Sequence, residues 1–384
     1  MTLLNMNLPD IADIKKVVTD ILKGKGGLAL NLSIIGIIMG IYALSRLLIE
    51  GHGAVTNTSS LVPWGVQIST YVYMVLLSTG CTFINFFGYM FYRKEYEMFG
   101  TRILFVGIFI AFAGMGALAT ELGRMDKMIY FLLSPQPKSP MWWMSVWYSI
   151  YVTLKLVELV NHKRGKHSDK LLWITFIVAI ITYSNLGSVF GIVEQRAYYF
   201  GPLLPIYFLM LGFLTGAALS TIIASAHFYK SDTEFQNHVR PFRNSLRIGL
   251  GIAIVATFWR LVAGMYAQAE GYEIFKLTFM HTFFFELLFA LAIPLVVSYF
   301  STCQRCMIVI CSFILITQFK IRTDLIVGGF KIPVFKAYSI PDIVSYMPSH
   351  VEFFVVIGAI SAATFIYVFA DKIGFFEGEE HIHG

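Results

Sequence analysis

The side chains best suited to chemistry are ionisable groups that stand out against a very apolar chain. Glu121 closes an apolar run and is followed by Arg124 and Asp126. A carboxylate in this setting can take up and release protons, with Arg124 holding the charge state of Glu121. As a plain anchor the three groups would only pair at a membrane boundary, where ionisable residues are ordinary. Gln67 and Tyr71 stand four residues apart, on one helix face, and present an amide and a phenol close to the depth of Glu121. Trp64 and Tyr148 would wall such a site with aromatic rings, or simply anchor their helices at an interface.

A second group lies deeper. Arg260 and Glu286 fall about 12–15 Å below one membrane face at the rise of an α-helix. An unpaired charge at that depth costs several kcal/mol, so an Arg260–Glu286 ion pair is expected, with His281 one turn above. Such a group is either a proton relay or a clamp between two helices. Lys155 and Glu158 share a helix, with Asn85 at similar depth. A lysine there either snorkels to the interface or belongs to an inner proton half-channel.

These positions require membrane-spanning helices. The 384 residues are 57% hydrophobic and 14% charged, a balance that leaves a soluble protein with far too much apolar surface. Apolar runs of about 20 residues recur along nearly the whole chain, the length that crosses a bilayer core. We expect an all-α polytopic membrane protein with about ten transmembrane helices, near 28–49, 64–92, 101–121, 140–161, 171–193, 201–227, 246–268, 274–299, 304–323 and 351–370. Residues 1–27, mixing Asp10, Asp13, Lys15, Lys16 and Asp20 with apolar positions, read as a cytoplasmic amphipathic segment and not as a cleavable leader.

Ten spans put both termini on one side. Seventeen of the 29 Lys and Arg residues fall on that side and nine on the other, so both termini are expected in the cytoplasm, with the protein in the inner membrane. The net charge of +6 is therefore topological, and nucleic acid is not an expected partner; membrane lipid is.

Leu77-Ser78-Thr79-Gly80 before Phe91-Tyr92-Arg93 is similar to Leu214-Thr215-Gly216 before Phe228-Tyr229-Lys230, at an offset of 136 to 137. This weak repeat divides the chain into the segment 1–27, a flanking helix in 28–62, a first four-helix bundle in 63–200 and a second in 201–323. An outer loop, last helix and acidic tail fill 324–384. The tail residues Glu377, Glu379, Glu380, His381 and His383 read as solvated, with no metal role.

Redox centres inside the chain are not expected. A haem needs two axial ligands at matched depth, and of nine histidines His281 and His227 are the candidates, separated by most of the bilayer. Cys81, Cys303, Cys306 and Cys311 are too scattered for a disulfide framework or an iron–sulfur cluster, and Cys303-Gln304-Arg305-Cys306 reads as two small residues at a helix start.

Three stretches, taken in order, resemble the ten-helix branch of the NrfD-like family, the membrane subunits related to polysulfide reductase and to the quinone-reactive subunits of hydrogenase and of sulfite-reduction-associated complexes. They are Pro63-Trp64-Gly65 with Thr79-Gly80, then Glu121-Leu122-Gly123-Arg124 with Ser139-Pro140-Met141, then Glu286, Ile293-Pro294 and Tyr346-Met347-Pro348-Ser349 leading to Glu352. The resemblance implies a quinone-reactive subunit of an oxidoreductase complex, without activity alone. Such a subunit exchanges electrons between membrane quinone and an iron–sulfur subunit on the outer face, within a larger respiratory complex, and takes a part in proton movement. It also implies menaquinone and sulfur-compound respiration. On it, Glu121, Arg124 and Tyr71 become candidate catalytic groups, while Gln67, Tyr71, Trp64, Tyr148, Glu121 and Asp126 become candidate quinone contacts. Arg260, His281, Glu286, Lys155 and Glu158 become candidates for proton transfer. Relatives often carry histidines where Ser78 and Thr182-Tyr183 stand here, so no proton role transfers through those positions. A secondary proton-coupled transporter is the alternative, because a repeated bundle with buried Arg and Glu also suits that task.

Overall fold

A computed structural model of the chain describes residues 26–226, 231–267, 271–301, 303–334, 338 and 340–376. The expected N-terminal amphipathic segment, His227 and the acidic tail lie outside the described residues.

Ten long helices follow one another: α1 Gly27–Glu50, α2 Val66–Phe91, α3 Arg93–Glu121, α4 Pro140–Lys163, α5 Asp169–Gly191, α6 Leu203–Ala226, α7 Asp232–Tyr266, α8 His281–Phe300, α9 Gln304–Gly328 and α10 His350–Lys372. Among the described residues there is no strand, and nine of the ten are long and apolar enough to cross a membrane. The tenth, α4, is 24 residues long but diluted by Trp, Tyr, Ser, Lys155 and Glu158. The chain is a multi-pass membrane protein.

Helix α2 is the hub, packing on α3, α5, α6 and α9. Its polar residues Ser69, Thr70, Ser78, Thr79, Thr82 and Asn85 are all buried, the reverse of a soluble helix, because the bundle interior satisfies them and lipid does not. Lipid supplies no hydrophobic drive between helices, so close van der Waals fit must hold them. The fit is tightest where α2 crosses α6: a Cβ on Gly80 would lie 1.9 Å from the Gly212 carbonyl oxygen, and one on Gly216 would lie 2.0 Å from the Gly80 carbonyl carbon. The two notches matched in the sequence repeat thus meet each other. Helices α1 and α10 pair at the periphery, and α10 leans on α3.

Several boundaries differ from the sequence reading. Helix α3 starts at Arg93, not near 101, because its charged first turns still bury Tyr96 and Phe99. The span expected at 274–299 is interrupted: a short helix Glu273–Leu277 precedes α8, which is π-wound over His281–Ala292 before continuing to Phe300. Helix α9 runs on to Gly328, so Arg322, counted above as an outer-loop charge, is buried inside the bundle. Cys303 and Cys306, at the start of α9 as expected, are joined by a disulfide.

Candidate functional site

The ends of α1, α3, α5, α7 and α9 and the starts of α2, α4, α6, α8 and α10 lie together at one end of the bundle, called here the site end. At its centre Glu121 is the last residue of α3, with a side chain 7% exposed. Its carboxylate is 3.3 Å from Nε2 of His52, which opens the short helix His52–Val55 after α1. Thr56 Oγ1 lies 3.3 Å from the other ring nitrogen of His52. The Glu121 carboxylate raises the pKa of His52 above its ordinary 6.5, more than its partial burial lowers it.

A second carboxylate stands beside this pair. Glu352 opens α10 in a capping box with Ser349, accepting the Ser349 N–H at 2.7 Å while Ser349 Oγ accepts the Glu352 N–H. It also accepts the backbone N–H of Asn57 at 3.0 Å and the hydroxyl of Tyr346 at 2.7 Å. Tyr346 in turn accepts the N–H of Val66, an otherwise orphaned donor of the first turn of α2. Burial and Glu352 push the Tyr346 phenol well above its ordinary value. Gly65 makes this approach possible, since a Cβ there would fall 2.4 Å from the Tyr346 hydroxyl and 2.9 Å from a Glu352 oxygen.

The other expected site residues gather near this network but are differently engaged. Gln67 donates to Thr120 at 3.0 Å, and its buried amide oxygen accepts nothing. Tyr71 is buried, with its hydroxyl on the sulfur of Met144 at 3.2 Å. Tyr148 donates to the carbonyl of Ala111 at 2.8 Å. Trp64 packs edge-on against Phe190 and Phe330, inside the bundle and not as an interfacial anchor. Arg124 does not reach Glu121: it makes a two-point contact with Asp126, both exposed, so His52 is the partner of Glu121. That contact raises the pKa of Arg124 and lowers that of Asp126.

Deeper, the Lys155 ammonium is fully buried, 3.4 Å from the Ser78 carbonyl and over the Tyr151 ring. It does not snorkel, because α4 turns that face toward α2 and α3. Glu158 accepts from Asn85 at 2.9 Å, and Asn85 accepts from Tyr96. A small polar pit lined by Tyr89, Glu158, His162 and His167 opens at the opposite end.

The expected Arg260–Glu286 ion pair is not formed. Arg260 donates to the Tyr198 carbonyl and lies over the rings of Tyr198, Tyr207 and Phe275, which stabilise it without a carboxylate. Glu286 instead faces His281 at 3.9 Å, and His281 Nε2 is 3.4 Å from Asp324, which also pairs with Lys320. Glu286 Oε2, Gln318 Nε2, and two guanidinium nitrogens of Arg322 are buried without hydrogen-bond partners.

Sequence reasoning missed His52, Asp324 and Arg322 and gave Glu352 and Tyr346 no role. For Glu352 a signal existed, the Ser-x-x-Glu of a capping box ahead of an apolar run. His52 meets Glu121 across 69 residues, and nothing local announces that contact.

Comparison with known proteins agrees with this architecture. The family model described as polysulphide reductase, NrfD, matches residues 54–333. A membrane-complex relative, one of the selenate reductase subunits of Mesobacillus selenatarsenatis, is 26% identical over 272 residues, which cover 60% of this chain and 63% of that protein. The integral membrane subunit of an Hdr-like menaquinol oxidoreductase from Archaeoglobus fulgidus is 20% identical over 370 residues, 87% of this chain and 89% of its own length. With most of its length matched by that model and its helices arranged as described, the chain belongs to the polysulphide reductase NrfD family.

Proposed function

We propose that the chain is the quinone-reactive membrane subunit of a respiratory oxidoreductase complex. It exchanges electrons between a membrane quinone, menaquinone by preference, and an iron–sulfur subunit docked on the site end, which faces outward across the inner membrane with both termini in the cytoplasm. The observation that carries this reading is the convergence of Glu121–His52 and Glu352–Tyr346 at one membrane boundary. Quinone chemistry moves two protons with two electrons, so it needs linked proton acceptors beside an apolar binding space. The relatives support it, one being named as part of a menaquinol oxidoreductase and another as a selenate reductase subunit. Reduction of a sulfur compound is the chemistry we assign to the partner side.

In this reading Glu121 is the proton-exchanging group, with Gln67 and Tyr71 bordering it. The polar residues of the first four-helix unit, Lys155 and Glu158 among them, and the Arg260, His281 and Glu286 group of the second are proton-transfer candidates. Purification in mild detergent tests the proposal: iron–sulfur subunits and extractable quinone are expected to accompany the chain. A lone protein that moves a solute into liposomes would overturn it in favour of a transporter.

A further inference from the structure

A cleft of about 590 Å³ opens at the site end between the last turns of α9, the short helix Glu273–Leu277 and the segment from Ile343 to Pro348. Its walls are mostly apolar, with Ile274, Phe319, Val327 and Val344 among them, and it falls in the size range of small-molecule sites. Two of its walls carry proton-exchanging groups. Tyr346 lines it from the 343–348 segment, its hydroxyl already joined to Glu352. Asp324 lines it from α9, with one carboxylate oxygen that accepts no hydrogen bond and has His281 as its neighbour. The rim residues Leu277, Ile343 and Phe353 are each more than half exposed, so a hydrocarbon tail leaving the cleft would cross apolar surface.

We propose that this cleft seats the headgroup of the quinone, with Tyr346 and Asp324 as its two proton-exchange partners. The proposal rests on the quinone-reactive reading above and says where that chemistry takes place. A phospholipid headgroup fits less well, because Lys320, a cation on the wall, is already paired with Asp324. A lipid also has no use for two wired proton acceptors. When a quinol is oxidised, both of its O–H bonds break. One proton passes to the Tyr346 oxygen as the Tyr346 proton moves to Glu352, the second passes to Asp324, and the two electrons leave singly to the iron–sulfur partner. Reduction of a quinone is the reverse.

The test uses the intact complex in proteoliposomes with a photoreactive azido-naphthoquinone and a short-tailed naphthoquinol. The label is expected on residues 319–327 and 343–348, with protection by excess quinone. Val344→Trp, which fills the cleft, is expected to raise KM about tenfold or more with kcat little changed, and Asp324→Asn to lower kcat about tenfold to a hundredfold and shift its pH profile. Labelling confined to the surroundings of Tyr71 and Met144, or a bound phospholipid with an unaltered KM in Val344→Trp, overturns the proposal. Mapping the label on the unaltered complex decides the matter even where a variant does not fold. Failure of the underlying reading looks different: the unaltered complex then shows no quinone-dependent turnover and no protectable labelling anywhere.

Discussion

The carboxylates of the site end and those of the second half of the bundle are held in opposite ways. Glu352 accepts two backbone N–H groups and a phenol, and Glu121 has His52 against it. Glu286, by contrast, keeps a bare oxygen in the interior, in a half that also holds unsatisfied nitrogens of Arg322 and Gln318. Buried polar groups left without partners are costly, and ordered water is the usual remedy. The difference teaches that the first network is built to be rigid, whereas the second is built around space that water must fill.

The comparison can be broken in several places. The largest effect is expected where the two halves are joined: Gly80→Val drives a side chain into the Gly212 carbonyl, and no monodisperse protein should survive size-exclusion chromatography. If it does, the halves are not one body. Next, Glu352→Gln turns an amide nitrogen toward groups that donate to a carboxylate. Charge-assisted hydrogen bonds contribute about 1.5–3 kcal/mol each, so the unfolding temperature should fall by several degrees or more, along with quinone-linked turnover. Glu121→Gln should cost about tenfold to a hundredfold in turnover with the fold intact, measured on the purified complex.

Glu286→Gln should affect stability far less, since it removes a charge that lacks full solvation. Its readout is the number of protons moved per electron in vesicles, and an unchanged ratio removes the relay from the second half. The smallest effect is a pH dependence. Because the folded-state pKa of His52 is raised, its ion pair with Glu121 contributes fully below pH 6.5, the ordinary value, and is lost as pH rises through the raised one. Thermal unfolding across that window should show a shallow decline that His52→Ala abolishes.

Much of the fold was legible in the sequence, because hydrocarbon thickness imposes helix length and every one of the ten spans carries that length. Boundaries were legible only where charge and helix end coincide. Arg93 and Arg322 sit inside helices, and a charge there reads as a loop until tertiary burial is known. Of the site, Glu121 and Gln67 could be found from depth alone. Their partners could not: His52 arrives from the connection after α1 and Glu352 from the start of α10, contacts between distant segments that no periodicity encodes. The Arg260–Glu286 pairing failed for a related reason. Equal depth on neighbouring helices does not fix which face each side chain takes, and aromatic rings turned out to hold the guanidinium.

The pairing of the first helix with the last also has a meaning in time. Helix α1 leaves the ribosome about 300 residues before α10, which at roughly 5–20 residues per second is a delay of about 15–60 s. Throughout that interval the face of α1 that will meet α10, with Gly36 and Gly40, has only lipid for company. The contacts of Asn57 and Ser349 with Glu352 cannot form any earlier. The network at the site end is therefore completed last, so that an incompletely synthesised chain cannot carry a finished site.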